Sequence, residues 1–362
     1  MHSDDQPCCA PERPTGPGAL PATVEPSAAG AGPEPQVGSQ SDPVEFDFVD
    51  IPGGEFTMGT NDPNGYPSDG EGPEHTVALS PFAIARTTVT NDQFQAFIAA
   101  TGHQSTADRF GNSFVFGGLL PDDFPPTRGV AAAPWWREVD GANWRHPEGP
   151  HSDVADRGGH PVVHVSWEDA AAFCDWSGTT LPTEAQWERA ARGGRSGSHF
   201  PWGDDLEPNG EHRMNVFQGD FPGGNTGADG WIGTSPADHF PPNGFGLHQM
   251  TGNVWEWCLD WFALLTYNRR AAVDPAGPPA GSARVMRGGS RPDGGRSVCW
   301  RRRWPRHPSA FSWCSATGGV SGDCPTRCSR FWRSRRCRSR GRTIARRQRS
   351  ASRCCRRRRC AI

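Results

Sequence analysis

The sequence has no lysine, so all 37 of its Lys+Arg residues are arginine, a bias of a GC-rich coding sequence rather than of a fold. It holds only two tyrosines and five methionines in 362 residues. No run of about 18 apolar residues occurs, so the sequence offers no membrane-spanning helix. Residues 1–44 have almost no large apolar side chains and no basic stretch leading into an apolar one, which makes them a disordered tail rather than a signal peptide. Cysteine is sparse before residue 291, where Cys8, Cys9, Cys174 and Cys258 are the complete set. A reducing compartment and a cytoplasmic location follow as expectations.

Acid is nearly absent from the other end. Residues 291–362 hold 22 arginines against Asp293 and Asp323, together with eight cysteines, whereas residues 1–290 hold 15 arginines against 38 acidic residues. The net charge of −3 is therefore the sum of two unlike segments. At roughly 150 residues per domain, the length suits two domains or one large irregular one.

What is present between them reads as a mixed α/β body rich in loops. Val44 to Gly59 alternates apolar and polar residues around Pro52-Gly53-Gly54, which predicts a hairpin. His75–Leu79 is a further strand, and Thr90-Asn91-Asp92-Gln93 caps a helix that carries Phe94, Phe97 and Ile98 inward and stops near Gly102. Residues 103–160 read as loop, with the aromatic pair Trp135-Trp136 either satellite core or a recognition surface. His146 there is a lone histidine and carries little weight. His160–Val165 predicts a buried strand feeding a helix from Ser166 to Gly178, and Thr183 with Gln186 caps a second helix that ends at Gly193.

Beyond residue 195 turns dominate, and long irregular loops need something to hold them. Asn215, Asp229 and the turn from Gly252 to Glu256 offer oxygen ligands for calcium, or else simple Asx turns, the commoner use of such residues. The densest stretch, Gly246 to Trp257, sets Asn253, Glu256, Trp255 and Trp257 beside Gly252. It is open to two readings, a metal-stapled turn under an aromatic floor or a tight turn whose tryptophans are core.

Pro52-Gly53-Gly54-x-Phe56-x-Met58-Gly59, Thr90-Asn91-x-x-Phe94, His160-Pro161-Val162-x-His164-Val165-Ser166-Trp167 and Leu181-Pro182-Thr183-Glu184 occur in that order. Pro201-Trp202-Gly203, Asn243-Gly244-x-Gly246-Leu247, Gly252-Asn253-Val254-Trp255-Glu256-Trp257 and Arg287-Gly288-Gly289-Ser290 follow them. The ordered set resembles the sulfatase-modifying-factor family over residues 45–290. Ala133-Pro134-Trp135-Trp136 and Asn143-Trp144-Arg145-His146-Pro147-Glu148-Gly149 are similar to its formylglycine-generating branch.

The resemblance implies one loop-rich α/β (α+β) domain with little regular secondary structure, related to C-type lectin-like folds and stabilised by two calcium ions. It implies an oxidase that uses O2 and copper(I), held by two thiolates, to convert the cysteine of a Cys-x-Pro-x-Arg motif in an unfolded sulfatase polypeptide to Cα-formylglycine. One calcium site then falls on Asn215, Val216, Asp229 and Trp231, and the second on Gly252, Val254 and Glu256, with Gln249 standing where close relatives have Asn. Trp255 would border the oxygen pocket, Trp135 would line the peptide groove, and Ser290 would lie beside the copper.

After Ser290 the pattern stops. The family's two cysteine positions are Asp293 and Val298 here, Cys299 is one residue out of place, and the closing Gly-Phe-Arg-Cys is missing, which leaves Cys174 without the late cysteine it pairs with in some relatives. Three readings of residues 291–362 stand: a basic module for nucleic acid or zinc, a pseudoenzyme that has replaced its centre, or a reading frame lost after Ser290. The abrupt reversal of charge at a motif boundary favours the last, and with it an inactive chain. The alternative is a non-catalytic lectin-like module that binds calcium and peptide.

Overall fold

The computed structural model describes residues 44–63, 69–131, 133–268, 273–288, 302–305 and 359–360. The first strands are β1 (Phe48–Ile51) and β2 (Gly54–Met58), followed by β3 (His75–Leu79) and β4 (Phe82–Ala85). The hairpin predicted over Val44 to Gly59 does not form: β1 pairs antiparallel with β4, and β2 with β3. Alternation marks a strand without naming its partner. At the break between them Gly54 takes φ +119°, and a Cβ on Gly53 would lie 2.8 Å from the Leu79 carbonyl oxygen, so the chain swings from one sheet into another.

Helix α1 (Asn91–Thr101) starts and stops where the sequence puts it. Thr90 Oγ1 accepts from the Gln93 amide, Gln93 closes the box, and Gly102 ends the helix at φ 66°. Helix α2 (Thr106–Phe110), capped by Ser105, leads into β5 (Asn112–Phe116), β6 (Arg128–Val130) and β7 (Ala133–Asp140). These strands form a sheet in the order β5-β7-β6, where the sequence had suggested only loop. The reason is burial on both faces: Ser113, Phe114, Val115 and Phe116 are all buried, so no period of two shows.

His160–Val165 is buried as expected but is not a strand. It makes one bridge, Pro161 to Thr90, and His164 sits at φ 58°. Burial pushes the His164 imidazole down to about 4, and the neutral ring is held between Ser113 Oγ and the Pro147 carbonyl, each 2.8 Å away. Helices α3 (Trp167–Ser177) and α4 (Glu184–Ala191) carry capping boxes. Past α4, Asn243 Nδ2 donates to the Ala190 and Ala191 carbonyls at the end of the helix.

Strands β8 (Glu256–Trp261), β9 (Ala283–Arg287) and β10 (Arg302–Pro305) form the sheet β10-β9-β8, and β11 (Arg359–Cys360) pairs parallel to β4. Two short strands thus come from the segment after residue 290, the rest of which lies outside the described residues. Cys174 also acquires a late neighbour that motif matching had not supplied. Burial first, and the nearby Cys360 with it, pushes the Cys174 thiol up to about 11, while Cys360 Sγ lies 3.6 Å from Thr180 Oγ1.

Among the described residues, two large apolar clusters make up most of the interior, beside two small ones around Phe200 and Val139. One gathers Phe94, Phe97, Trp144, Phe173 and Trp255 between α1, α3 and the start of β8. The other joins Ile51, Val77, Ile84, Trp187 and Val285 across the small sheets and α4. Within the second, Arg287 is 1% exposed, with Nη2 donating to Glu188 Oε2 at 2.6 Å and Nη1 to Glu184 Oε1 at 3.2 Å. Burial opposes charge on Arg287, but Glu188 and Glu184 outweigh it and raise the guanidinium pKa. Burial likewise works against the Glu188 carboxylate, and Arg287 and Arg192 prevail and hold its pKa below the ordinary value.

Removing one partner of a buried pair strands the other charge, at a cost of about 3 to 5 kcal/mol. Arg287→Met is therefore expected to lose that much in urea unfolding, a large share of the roughly 5 to 15 kcal/mol a domain holds. A loss below about 1 kcal/mol would show that Glu184 and Glu188 find other partners.

Candidate functional site

The turn before β8 is built from left-handed residues: Gln249 at φ 44°, Gly252 at φ 77° and Asn253 at φ 58°. Glycine is required at 252, because a Cβ there would lie 2.6 Å from the Asn215 carbonyl oxygen. Asparagine tolerates the left-handed region better than other side-chain-bearing residues. At 253 its backbone N–H donates to that same carbonyl at 2.7 Å. Asn215 Nδ2 returns the contact by donating to Asn253 Oδ1 at 3.1 Å and to the Gly233 carbonyl at 2.8 Å.

Of the residues the resemblance assigned to the first oxygen site, Val216 and Trp231 are gathered by Asp229, and Asn215 adjoins Val216 in the chain. Asp229 Oδ2 accepts from the Val216 N–H and Oδ1 from the Trp231 N–H, each at 3.0 Å. Burial raises the Asp229 pKa against the pull of these hydrogen bonds. The Trp231 ring stands edge-on between His160 and His239 at 5.4 and 5.2 Å.

Gly252, Val254 and Glu256 follow one another along the second turn. The Val254 N–H donates to the Gly252 carbonyl at 2.8 Å, which folds the turn tightly ahead of the Glu256 side chain. Glu256 is 4% exposed, and its Oε2 accepts from Trp187 Nε1 at 2.7 Å. Its Oε1 is buried without a hydrogen-bond partner among the described residues. Burial, only partly offset by Trp187, pushes the carboxyl up to about 8. An unsatisfied buried carboxyl oxygen is the kind of donor a hard cation takes.

Among the described residues no group of three or more His, Cys, Asp or Glu side chains is placed to hold a metal ion. Gln249, in the position of a family asparagine, is turned to the backbone beside it: Oε1 accepts from Ser235 Oγ at 3.0 Å and Nε2 donates to the Pro236 carbonyl at 2.6 Å.

The thiols do not fit a soft metal. Cys174, Cys258 and Cys360 are buried cysteines. Burial raises Cys174 to about 11 and Cys258 well above the ordinary value, so both keep their protons. Copper(I) needs thiolates, and these described residues do not supply the pair.

Trp255 is 5% exposed and lines an apolar cavity of about 60 Å³ with Phe94, Val162, Phe173, Cys174 and Val254. Trp135, half-buried on β7, packs edge-on against Phe221 at 5.1 Å, which itself stacks on Phe116 at 5.7 Å. At the end of β9 a Cβ on Gly288 would lie 2.8 Å from the Val254 carbonyl oxygen, so this glycine lets Arg287-Gly288 press onto the Trp255 segment. Ser290 lies outside the described residues. Sequence reasoning missed the indole of Trp187 on Glu256 and the role of Ser235; neither residue type signals such a contact.

The family model described as "Sulfatase-modifying factor enzyme 1-like domain" matches residues 34–315. A formylglycine-generating enzyme of Thermomonospora curvata is 52% identical over 247 residues, covering 67% of this chain and 82% of that protein. An "Inactive C-alpha-formylglycine-generating enzyme 2" of Bos taurus is 44% identical over 226 residues, covering 62% of this chain and 73% of that protein. The solved structure of PvdO from Pseudomonas aeruginosa aligns with a TM-score of 0.51 at 26% identity, over 73% of this chain and 92% of that one. With its small sheets, short capped helices and long loops, the chain belongs to the sulfatase-modifying factor enzyme family, whose close relatives here are formylglycine-generating enzymes.

Proposed function

We propose that the chain is the substrate-binding body of a formylglycine-generating oxidase, able to hold calcium and a sulfatase peptide but without the thiolates for turnover. The reaction of the parent activity is oxidation of the cysteine in a Cys-x-Pro-x-Arg segment of an unfolded sulfatase to Cα-formylglycine, with O2 and copper(I). The observation that carries this reading is the family match over residues 34–315, which spans every motif from Pro52 to Ser290. Against turnover stand Asp293 and Val298 at the two cysteine positions and the protonated state of Cys174 and Cys258. No step through copper is derived for this chain.

Trp135 is the peptide-contacting group in this reading, a partly open indole backed by Phe221 and Phe116. Trp255 is enclosed and would shape the wall behind the reacting cysteine. Calcium would be held by Asn215, Val216, Asp229 and Trp231 at one place and by Gly252, Val254 and Glu256 at another. Its part is structural, since it neutralises buried carboxylates and fixes loops that no sheet holds.

A second reading, a pseudoenzyme whose task is binding alone, is favoured by the relative whose printed name begins with "Inactive". Both readings foresee no conversion of a Cys-x-Pro-x-Arg peptide by the full chain when copper(I) and air are supplied, as followed by mass spectrometry. Conversion would overturn the claim of silence. The peptide is expected to bind nonetheless, and Trp135→Ala to weaken it by about tenfold, the effect of losing an aromatic anchor worth about 1.4 kcal/mol; absence of any affinity removes the substrate assignment.

Glu256 adds a pH signature. Its carboxyl titrates near 8 in the fold against an ordinary 4.5, so between those values the native chain keeps a proton that the unfolded chain has lost. In chelator, stability is therefore expected to fall as pH rises from about 4.5 to about 8, and Glu256→Gln to flatten that slope. Calcium, which binds the ionised form, should raise Tm most at the alkaline end of the window. A Tm insensitive to calcium at pH 8 would remove the ion from Glu256.

A further inference from the structure

The two oxygen sites are not separate objects. Asn253 belongs to neither set of ligands assigned above, yet it touches the scaffold of both. Its backbone N–H and its side-chain Oδ1 both engage Asn215, at 2.7 and 3.1 Å. Oδ1 also accepts from the Ser235 N–H at 3.0 Å, and Nδ2 donates to the Ser235 carbonyl at 3.1 Å. Ser235 Oγ then donates to Gln249 Oε1. Asn215, Ser235, Gln249 and Asn253 are 2%, 0%, 7% and 3% exposed, so water does not compete for these bonds.

The geometry has a mechanical consequence. Asn253 sits between Gly252 and Val254, and its left-handed φ sets the directions of the neighbouring peptide groups. The close approach of Gly252 to the Asn215 carbonyl leaves the two loops no room to shift independently. An ion that fixes Asn215 and Asp229 thereby fixes the turn that leads to Glu256, and the reverse holds. Ordering that the first ion has already imposed is ordering the second need not impose.

We propose that Asn253 is a positioning residue that couples the two cation sites, so that calcium binds them with positive cooperativity. This rests on the calcium reading above. Coupling of this kind is reciprocal and typically 5- to 150-fold in affinity.

The test is calorimetric titration of the chelator-treated full chain with calcium alone. In the parent chain, Asp229→Asn is expected to weaken binding at the Glu256 site by about fivefold or more, and Glu256→Gln to weaken the Asp229 site by the same factor. Glycine accepts a positive φ at no steric cost, so Asn253→Gly removes the side chain while keeping the turn. In that background each of the two substitutions should change the other site by less than about twofold. Asn253→Asp, which keeps the oxygen that accepts from Asn215 and Ser235, should retain the coupling.

Unchanged affinity at the remaining site in either parent-background variant overturns the coupling, and that comparison stands even if Asn253→Gly fails to fold. An effect that persists undiminished with glycine at 253 removes Asn253 as its carrier. Absence of any calcium uptake by the parent chain overturns the calcium reading itself.

Discussion

The buried guanidinium of Arg287 between Glu184 and Glu188 is the contact on which the other parts depend. It joins β9 to α4, and Glu188 Oε1 extends the link by accepting from the Gly59 N–H at 2.8 Å, just past β2. Tyr267 Oη donates to Glu184 Oε1 at 3.0 Å and ties in the loop after β8. Between the two glutamates on the same helix stands Trp187, with its ring 5.0 Å from the Arg287 guanidinium and its N–H on Glu256. The central ion pair and the candidate cation site thus share one indole. Packing alone would not place these groups, since apolar contact is non-directional, whereas a buried charge tolerates few arrangements of its partners.

This arrangement divides the family's chemistry along the chain. The residues proposed as oxygen donors, the aromatic wall and the ion pair beside them all come from positions up to Gly288. In the proposed reading the sulfur chemistry belongs to positions past Ser290, where the sequence changes character. Loss of the second half need not undo the first, because no hydrogen bond or ion pair described at the oxygen sites comes from beyond Gly288. The strand Arg302–Pro305 still pairs with β9, in register from Arg302 opposite Met286 to Pro305 opposite Ala283, so β9 is not left as an open edge.

Local grammar in the sequence was legible where the physics is local. Thr90 and Thr183 each cap a helix through a box closed three residues on, as read, and the helix start read at Ser166 carries a box with Asp169 as well. Partner choice was not legible. The alternation of Val44 to Gly59 looks the same whether β1 pairs with β2 or, as it does, with β4. Strand β5 escaped notice because both its faces are buried, and His160–Val165 mimicked a strand because burial gives the same composition without the extended backbone. At the site, the residue types at Asn215, Asp229 and Glu256 pointed to oxygen ligation, and the ordered motifs grouped Asp229 with Val216 and Trp231, whose N–H groups donate to it. What no motif conveys is that Trp187, from a helix some 69 residues earlier, holds Glu256, since that contact depends on where α4 crosses β8.

The long loops between α4 and β8 raise the question of what replaces the missing ladders. Side-chain amides do. Asn243 accepts from the Phe245 and Leu247 N–H groups while capping α4, Asn225 accepts from the Gln218 and Gly227 N–H groups, and Asn215 and Asn253 clasp each other. An amide offers a donor and an acceptor on one short side chain, so it satisfies irregular backbone in both directions. Its weakness is that it carries no net charge and leaves Asp229 and Glu256 buried without neutralisation. A cation would supply what the amides lack, and under the proposed coupling the same amides that order the loops would set how strongly one cation senses the other.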